Sequence, residues 1–447
     1  MRSAVRTQDF DLNPRQEAAN ELLASAARHI LLRGGSRSGK TFLLCRAVII
    51  RALMAPRSTH TIVRKHFNHL KHSVIYDTMP TVARLCFPGL KVALDKSDWF
   101  HELPNGSKII YGGLDDAERT EKILGQEHAT IYLNECSQIS YGARNKLVTR
   151  LAQKAVVPAT KKMLALKAYY DCNPPGKGHW TYSLFIKGVE PTSREKLRNS
   201  DLYGTMQLNP KDNEQNLPDG YMDELMSLPA RDRLRFLKGE FQDQVEGALW
   251  DIDKIERIPE PANERELRQL RDRMKLIVVA VDPSGASGPE DKKNDDIGLT
   301  VTGIDKNDRG VLLEDATGIM SPEQWGRTSV SLFDKWQADR IIGEINFGGD
   351  MVRAVIHGAR KNVPFKKITA SRGKHVRAEP VAALYERTPN RAPRIVHAGT
   401  FVDLEEEYAN FSTAGYQGDR SPNRADAAIF GFTDLLLEQS KGKAGVW

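Results

Sequence analysis

The sequence predicts two α/β domains in series, and three observations support this fold class. Apolar, β-rich runs at residues 29–32 and 276–281 each open a pattern in which strand and helix signals alternate. Between them, residues 255–273 are dense in charge and contain two prolines, which suits a surface connection followed by a short charged helix. The 447 residues also exceed one ordinary core, because domains typically hold about 100 to 200 residues. We therefore expect a first domain at 1–245, a linker at 246–270 and a second domain at 271–447.

The composition indicates a globular protein. Hydrophobic residues make up 40% and charged residues 28%, and no stretch approaches the roughly 18 apolar residues of a membrane span. The N-terminus lacks the apolar segment of a secretory signal, so we expect a protein that is not secreted and has no membrane partner. A formal net charge of +7 is compatible with polyanion binding. Four cysteines without a Cys-x-x-Cys pair favour buried free thiols over a zinc site or a disulfide framework.

Strand signals in the first domain predict a mostly parallel sheet with helices on both faces. Charged residues at 217–241 predict helices that could form a small lid or linker subdomain within about 195–245. The candidate strands are residues 30–32, 61–63, 108–111, 130–133 and 164–170, and the candidate lid helices are 221–226 and 230–237.

A phosphate-binding loop is predicted at residues 34–41, which read Gly-Gly-Ser-Arg-Ser-Gly-Lys-Thr. The segment follows a strand-like run and opens an apolar helix, as a P-loop does. Its glycines let backbone amides point at phosphate oxygens, Lys40 reaches the outer phosphates and Thr41 ligates Mg²⁺. The alternative is a glycine-rich turn that arose by chance. The predicted nucleotide contacts in the loop are Gly34, Gly35, Ser36, Arg37, Ser38, Gly39, Lys40 and Thr41.

A carboxylate that orients the attacking water should follow a later parallel strand. Glu135 comes directly after the apolar run 130–133 and is our catalytic candidate, which makes the first domain a P-loop NTPase of the ASCE type. The alternative is an acid that starts a helix. Asn134 stands where an aspartate usually supports the metal shell. Its amide oxygen can accept from a metal-bound water but carries no charge, which would lower the affinity for Mg²⁺.

Two further polar groups in the first domain have open interpretations. Asn13, Arg15 and Gln16 could lie near a bound base, or they could form an ordinary helix N-terminus with Pro14 at its first position. Arg64, at the end of a candidate strand, is either a nucleotide or DNA contact or a solvated surface charge.

Acids at strand ends in the second domain predict a metal-dependent nuclease. Asp282 ends an apolar strand, Glu344 follows a short strand and Asp426 begins the final helix. Phosphodiester cleavage by two Mg²⁺ or Mn²⁺ ions needs carboxylates that hold the metals about 4 Å apart. We expect Asp282 to bridge both ions and Glu344 and Asp426 to complete one shell each, as in an RNase H-like nuclease. Asp296, next to Asp295, is an outer candidate.

Each acid taken alone could equally be a turn or cap residue, so only the ordered set favours the nuclease. Lys374 and Arg377 could grip DNA phosphates, although solvated helix charges are an equally acceptable interpretation.

Taken together, these features resemble the large terminase subunit of tailed bacteriophages, the ATPase and nuclease that packages viral DNA. The resemblance rests on the order of several motifs through most of the chain. They are the arginine-bearing loop at 34–41, Arg64-Lys-His-Phe, Gly112-Gly-Leu-Asp-Asp followed by Lys122-Ile-Leu-Gly, Asn134-Glu-Cys-Ser, and Asn173-Pro-Pro-Gly-Lys-Gly-His-Trp.

For the ATPase residues, the resemblance implies that Arg37 contacts phosphate and that Asn13, Arg15 and Gln16 lie near the adenine of ATP. It also implies that Asn173 links hydrolysis to movement and that a neighbouring subunit donates an arginine. Arg144 and Arg150 are the candidates for that arginine, with surface helix charges as the alternative.

For the whole protein, the resemblance implies ATP-driven translocation of double-stranded viral DNA into procapsids and metal-dependent cleavage of concatemeric DNA. The implied partners are a portal protein, a small terminase subunit and further copies in a ring, expected to be a pentamer. The implied location is the cytoplasm of the infected bacterial host and, transiently, the procapsid.

Two other functions compete with this interpretation. A helicase or repair-type ATPase fused to a nuclease would need a second motor-like domain with arginine motifs, where this chain has acidic strand ends. A nucleotide-binding scaffold that neither hydrolyses nor cuts is conceivable because Asn134 replaces an expected acid.

Overall fold

The structure is a computed structural model that describes residues 12–115, 117–229, 232–243, 247–283, 296–344, 350–368, 373–388, 391–418 and 421–438. The chain forms two compact units, Met1–Glu190 with Arg194–Asp243, and Gln244–Trp447 with Pro191–Ser193. Asp295, named above as the neighbour of Asp296, lies outside the described residues. No helix in the described part of the chain is long and apolar enough to cross a membrane.

The first unit is built on a mostly parallel sheet, as predicted. Its described strands run in the order β10-β1-β9-β6-β2-β5-β4-β3. From β10 to β5 every neighbouring pair is parallel, and only β4 and β3 are antiparallel. The strands are β1 His29–Arg33, β2 Thr59–Arg64, β3 Ala93–Asp95, β4 Phe100–Glu102, β5 Lys108–Gly113, β6 Thr130–Leu133, a separate hairpin of β7 Val156–Val157 and β8 Lys162–Met163, β9 Lys167–Cys172 and β10 Tyr203–Gln207.

Helices connect these strands. The strand β1 is almost entirely buried, as expected of a central parallel strand covered on both faces, and α2 packs its apolar residues into the same core. The α-helices are α1 Pro14–Ala24, α2 Lys40–Met54, α3 Phe67–Leu70, α4 Met79–Cys86, α5 Ala117–Leu124, α6 Tyr141–Val148, α7 Trp180–Tyr182 and α8 Tyr221–Ser227. The π-helical segments are Lys71–Thr78, Ser183–Lys187 and Arg233–Leu237, and the 3₁₀ segments are Cys136–Gln138, Ser200–Leu202 and Pro210–Asn216.

The second unit is a mixed sheet in the order β11-β17-β14-β13-β12-β15-β16. The hairpins β12–β13 and β13–β14 are antiparallel, and the remaining neighbours are parallel. The strands are β11 Arg257–Ile258, β12 Met274–Asp282, β13 Gly298–Asp305, β14 Gly310–Asp315, β15 Arg340–Glu344, β16 Phe365–Ile368, β17 Ile395–Ala398 and a separate pair of β18 Phe411–Ser412 and β19 Gly415–Tyr416.

Helices cover both faces of this sheet. Successive residues of β12 point to opposite faces, so Val278 and Ala280 join one apolar core while Val279 and Val281 join the other. The α-helices are α9 Glu264–Arg271, α10 Pro322–Trp336, α11 Asp350–Ala359, α12 Lys374–Tyr385, α13 Val402–Ala409 and α14 Asn423–Phe432; a 3₁₀ segment spans Ile252–Lys254 and a π-helical one Thr433–Glu438.

The residues predicted as a linker are packed into the second unit. The Trp250 ring stacks on Tyr408 with centroids 4.3 Å apart, and β11 pairs with β17. The short charged helix expected here corresponds to α9, which buries Leu267 and Leu270. The segment has many charged residues and few apolar ones, so its composition alone does not indicate that Trp250, Leu267 and Leu270 are buried.

Candidate ATPase and nuclease sites

The loop between β1 and α2 has the shape that phosphate binding requires. Gly39 has φ 85° and precedes the first residue of α2, a left-handed conformation that favours glycine. A Cβ at Gly34 would lie 1.7 Å from the carbonyl oxygen of Leu208, so the loop passes directly against the end of β10. The long helix α2 places its N-terminus, with its positive potential, at this loop.

Lys40 is buried and held over the loop. Its Nζ donates to the carbonyl oxygens of Gly35 at 2.6 Å and Gly34 at 3.1 Å, and to Asn173 Oδ1 at 3.3 Å. Burial lowers the pKa of Lys40, while the neighbouring carboxylates Asp171 and Glu135 act in the opposite direction. The contact with Asn173 brings the predicted coupling residue to the phosphate-binding lysine.

A cleft of about 500 Å³ opens in front of the loop. Its walls come from the loop, from β-strand ends and from the segment that was predicted as a lid. They include Arg37, Lys40, Thr41, Asp77, Thr81, Glu135, Asn173, Asn213 and Asn216. The dimensions and polar lining suit a nucleotide-sized ligand.

Residues of α1 reach the same loop through a helix cap. Asn13 and Gln16 form a capping box, in which Gln16 N donates to Asn13 Oδ1 at 2.9 Å and Asn13 N donates to Gln16 Oε1 at 3.1 Å. Gln16 Nε2 also donates to Asn213 Oδ1 at 3.4 Å and would lie 3.1 Å from a Cβ at Gly39. The helix-terminus interpretation is thus structurally correct, and the same residues adjoin the loop. Arg15 instead bonds the carbonyl oxygen of Gln207 with its Nε.

Arg37 lies at the exposed rim of the cleft. Its guanidinium stands 5.8 Å from the ring centroid of Tyr221 in α8, and its carbonyl oxygen accepts from Asn213 Nδ2 at 2.9 Å. The peptide N–H of Ser36 donates to Phe236 O at 2.8 Å. The segment predicted as a lid therefore contacts the phosphate-binding loop.

Glu135 lies at the carboxyl end of β6 and lines the cleft, where the sequence predicted it. Its backbone is left-handed, with φ 50° and ψ 53°, a strained conformation for a residue with a side chain. Burial and then the nearby Asp171 raise the pKa of Glu135, opposed by Lys40 and Arg64. A half-buried carboxylate with a raised pKa and a left-handed backbone, facing a phosphate-binding loop, is typical of a catalytic position.

Asn134 is buried, and an acid from the neighbouring strand, Asp171, contacts it. Its Nδ2 donates to Oδ1 of Asp171 at 3.1 Å, and Thr41 Oγ1 donates to Oδ2 of the same carboxylate at 2.7 Å. Asp171 is fully buried near the end of β9. In the parallel register Leu133 is opposite Tyr170, so Asn134 and Asp171 follow at equivalent positions of adjacent strands.

Sequence reasoning missed Asp171. The candidate strand, residues 164–170, stops one residue before Asp171, whereas β9 extends to Cys172. The sequence does contain a signal for it. Asp171 lies two residues before Asn173, near the end of a strand that pairs with β6, and an acid of the site is expected at such a strand end.

Arg64 is half-buried and contacts Asn134, the neighbour of Glu135. Its Nη1 donates to Asn134 Oδ1 at 3.4 Å and to Ser73 Oγ at 3.1 Å. Of the two interpretations from sequence, the solvated surface charge is therefore wrong.

Arg144 is not on the surface, which corrects both interpretations given above. It is buried, its Nε donates to the Tyr170 hydroxyl at 3.2 Å and its Nη2 lies 3.2 Å from His29 Nδ1. The aromatic residues around α6 provide partners that helix position alone does not indicate. Arg150 is exposed and stays a candidate for a contact to a neighbouring subunit.

In the second unit, the three predicted acids lie at one edge of the sheet. In the parallel pair β12–β15, Val281 is opposite Gly343, so Asp282 and Glu344 take equivalent end positions. A Cβ at Gly298 would lie 3.1 Å from Asp282 Cβ and 2.1 Å from the carbonyl oxygen of Asn423, so the N-terminus of α14 crosses the ends of β12 and β13. This crossing brings Asp426, on the first turn of α14, to the same edge.

Lys374 and Arg377 of α12 face these acids. Lys374 Nζ lies 2.7 Å from Asp426 Oδ2, and Arg377 lies 3.5 Å from Asp426 Oδ1 and 3.9 Å from Glu344 Oε1. Burial raises the pKa of Glu344; Arg377 opposes this shift and the nearby Asp426 adds to it. The two cations are therefore counter-ions of the acids, which neither sequence interpretation anticipated.

The acids fit a hard divalent cation by their chemistry. Asp426 is buried, and its Oδ1 accepts no hydrogen bond among the described residues. Carboxylate oxygens are the ligands that Mg²⁺ and Mn²⁺ prefer. Within the described ranges, no three His, Cys, Asp or Glu side chains are gathered tightly enough to form a ready ligand set.

A second charged network anchors the start of α14. Arg424 pairs with Asp315 at 2.8 Å and with Glu407 at 3.8 Å. Burial acts to lower the pKa of Arg424, but these acids and the more distant Asp296 raise it. Asn423 Nδ2 donates to the carbonyl oxygen of Asp296 at 2.5 Å. Asp296, the outer metal candidate, is thus placed beside this network.

These two units define an NTPase with a phosphate-binding loop joined to a nuclease of the RNase H-like class. The family model described as phage terminase large subunit matches residues 26–236, and the one described as terminase RNaseH-like domain matches residues 279–430. The chain belongs to the phage large terminase family, whose members are packaging ATPases and nucleases. The resemblance, the fold class and the enzyme class predicted from sequence are therefore confirmed.

Solved structures of similar proteins come from several phages. A large terminase from a thermophilic bacteriophage, in its crystal form 2, has 14% identity and a TM-score of 0.45, over 96% of this chain and 100% of that chain. The large terminase of bacteriophage HK97 has 10% identity and a TM-score of 0.41, over 94% and 95%. The large terminase nuclease of the thermophilic phage G20c has 11% identity and a TM-score of 0.31, over 42% and 98%. None of the curated protein sequences matches this chain significantly.

Proposed function

We propose that the first unit hydrolyses ATP at the loop of residues 34–41 to drive double-stranded viral DNA into procapsids, and that the second unit cuts concatemeric DNA. The observation that carries the motor assignment is the bond from Lys40 Nζ to Asn173 Oδ1 at 3.3 Å. It joins the lysine that would hold the outer phosphates to an amide that follows the strand next to β6. A change at the phosphates would therefore be transmitted through Lys40 to Asn173, at the carboxyl end of β9.

Hydrolysis would use groups that already face the cleft. Loop amides and Lys40 would bind the phosphates, and Gln16, Arg15 and Asn13 would lie toward the base. Glu135 would orient the attacking water and accept its proton, which requires the ionised carboxylate. Burial and Asp171 raise the pKa of Glu135 and oppose this form, whereas Lys40 and Arg64 favour it. Thr41 would ligate Mg²⁺, which when bound would neutralise charge that develops on the phosphates.

DNA cleavage would use the acids at the edge of the second sheet. Asp282, Glu344 and Asp426 would hold two Mg²⁺ or Mn²⁺ ions, which when bound activate water and stabilise the leaving oxygen. Lys374 and Arg377 lie against the same acids, where they could also meet a DNA phosphate.

The family also supports proposals about assembly and location. We expect a homo-oligomeric ring, with five subunits as the working hypothesis, bound to a portal protein on the procapsid and to a small terminase subunit. In that ring Arg150 would stabilise transition-state charge in the neighbouring subunit. The protein would act in the cytoplasm of the infected bacterial host and transiently on the procapsid.

The direct test is ATP-dependent packaging of linear DNA into purified procapsids, with protection from added nuclease as the readout. Wild type should protect DNA, and Glu135→Gln should protect none. The matched control is the exposed Glu127→Gln, which should package like wild type. Protection by Glu135→Gln equal to that of wild type would contradict the catalytic assignment. No protection by wild type with cognate procapsids would contradict the packaging proposal.

A further inference from the structure

A buried acid, Asp171, lies among Thr41, Asn134 and Glu135 beside the phosphate-binding loop. It comes from a different strand than Glu135, whereas the usual pattern has an acid and a glutamate next to each other on one strand. We propose that Asp171, on the strand adjacent to the one that carries Glu135, supplies the acidic group that supports the Mg²⁺ of the bound nucleotide. Asn134, at the position where that acid is usually expected, would then position Asp171. This inference rests on the proposed ATPase function.

The contacts of Asp171 have the geometry of such an acid. Its carboxylate accepts from Thr41 Oγ1 at 2.7 Å, from the peptide N–H of Glu135 at 2.9 Å and from Asn134 Nδ2 at 3.1 Å. These donors satisfy oxygens of a carboxylate that is fully buried. Asn134 Nδ2 also lies 3.4 Å from Oδ2, so one donor is shared between the two oxygens. A carboxylate offers about four acceptor positions, and a metal-bound water would take the one that this long, shared contact fills least.

Thr41 connects the acid to the phosphate-binding loop. Because Thr41 donates its hydroxyl proton to Asp171, its oxygen can act only as an acceptor, and the Tyr132 hydroxyl also approaches it. Thr41 is the second residue of α2, so this oxygen lies at the helix N-terminus where the outer phosphates would bind. A hydroxyl oxygen has two lone pairs, so beside the contact with Tyr132 the Thr41 oxygen keeps a second acceptor position with which it could ligate a metal ion.

The acid at position 171 explains why position 134 holds an amide and not a second acid. With Nδ2 only 3.1 Å from Asp171 Oδ1, a carboxylate at 134 would place two negative charges in contact, which disfavours ionisation of one of them. Asn134 avoids this repulsion and donates a hydrogen bond instead. Its Oδ1 is used at the same time by Arg64, which lies beside Glu135.

The same arrangement explains the strained backbone of Glu135. Its left-handed conformation turns the peptide N–H onto Asp171 Oδ1 and places the side chain in the cleft. The two carboxylates therefore come from different strands and are fixed to each other by one backbone bond. Because Asn173 follows Asp171 by two residues, the metal-supporting acid and the amide that contacts Lys40 share one strand end.

The test measures how strongly Mg²⁺ enhances binding of a fluorescent, non-hydrolysable ATP analogue to the full chain. The variants are Asp171→Asn, Asn134→Asp and the double variant that exchanges the two residues. The exposed Glu127→Gln is the control, because it removes an acid that lies outside the cleft. We expect Asp171→Asn to lose about 10- to 100-fold of the Mg²⁺ enhancement, as metal sites do when a supporting group is removed. Binding of the analogue without Mg²⁺ should stay close to wild type in Asp171→Asn, and the Mg²⁺ enhancement should stay close to wild type in Glu127→Gln.

The Asn134→Asp variant tests which of the two positions supports the metal ion, even if Asp171→Asn fails to fold. If position 134 were the weakened metal site, a new carboxylate there would increase the Mg²⁺ enhancement, and that result would overturn the inference. We expect a decrease, because the new acid would contact Asp171, and we expect the exchange variant to recover part of the enhancement. An unchanged enhancement in folded Asp171→Asn would also overturn it. If wild type bound no ATP analogue at all, the proposed ATPase function would fail instead.

Discussion

The ammonium group of Lys374 lies 2.7 Å from Oδ2 of Asp426, so a side-chain cation already occupies a position at a predicted metal ligand. A divalent ion that binds Asp426 must displace or share this contact. The resting nuclease edge is thus neutralised from within the protein, by α12.

Removing this cation should strengthen metal binding. We expect Lys374→Met to raise the apparent affinity for Mn²⁺ without DNA by up to about fivefold, which corresponds to the roughly 1 kcal/mol of a half-exposed ion pair. The readout is the Mn²⁺ concentration that raises the melting temperature of the nucleotide-free protein. A matched control is Lys366→Met, since Lys366 is 41% exposed and pairs with buried Asp434, while Lys374 is 40% exposed. Equal or weaker Mn²⁺ binding in Lys374→Met would exclude competition.

Glu135→Gln should abolish hydrolysis but not binding. The amide cannot accept a proton from the attacking water, so we expect ATP turnover to fall by about 100-fold or more while the affinity for ATP changes little. Phosphate release and equilibrium binding of ATP measure the two effects separately. The exposed Glu127→Gln is the control and should match wild type. Equal phosphate release by Glu135→Gln and wild type would remove Glu135 from the site.

Arg144 and Arg150 should differ in stability when they are replaced. Arg144 is buried among Tyr170, Tyr141 and His29, so Arg144→Ala should destabilise the first unit by about 2 kcal/mol or more. Arg150 is exposed, and Arg150→Ala should leave the urea midpoint unchanged. If Arg150 acts on a neighbouring subunit, its loss should lower ATP turnover only in assembled motors. An Arg144→Ala protein as stable as wild type would contradict this buried packing.

Acid should destabilise the first unit through buried neutral histidines. Burial lowers the pKa of His60 to about 3, and its ring nitrogens contact Ser58 and Thr130. The unfolded chain therefore binds more protons than the folded one between about pH 6.5 and 3, and stability falls as the pH drops through that range. The slope is at most about 1.4 kcal/mol per pH unit for each such histidine.

Urea unfolding at pH 7 and pH 5 checks this prediction. His60→Gln should lose less stability between the two pH values than wild type does. The exposed His72→Gln should lose as much as wild type. Identical pH dependence in His60→Gln and wild type would show that His60 does not carry the effect.

Much of the ATPase site follows from local sequence signals. The spacing of the loop glycines and Lys40, between a strand and a helix, predicted the phosphate-binding loop. Both of these elements form as expected. Glu135 was found because an apolar run preceded it. The motifs lie where the chain turns at strand ends, and such turns are specified by neighbouring residues.

What sequence could not predict depends on contacts between distant segments. Asp171 has its role because β9 lies beside β6, and its partner Thr41 is 130 residues away. Lys374 finds Asp426 only because α12 and α14 pack on one face of the second sheet. From the sequence, Arg144 could be a surface charge, but in the fold it contacts Tyr170 and His29, which are distant in sequence. No periodicity in the sequence carries this information.

We expect this chain to hold two separate active sites, an ATP-hydrolysing site at Glu135 and a DNA-cleaving site at Asp282. The most direct test measures DNA-stimulated phosphate release and Mn²⁺-dependent plasmid cleavage on the same preparations of Glu135→Gln and Asp282→Asn. We predict that Asp282→Asn loses about 100-fold or more of the cleavage and keeps phosphate release within about twofold, and that Glu135→Gln shows the reverse. Undiminished cleavage by Asp282→Asn, or loss of both activities together in a folded variant, would contradict this account.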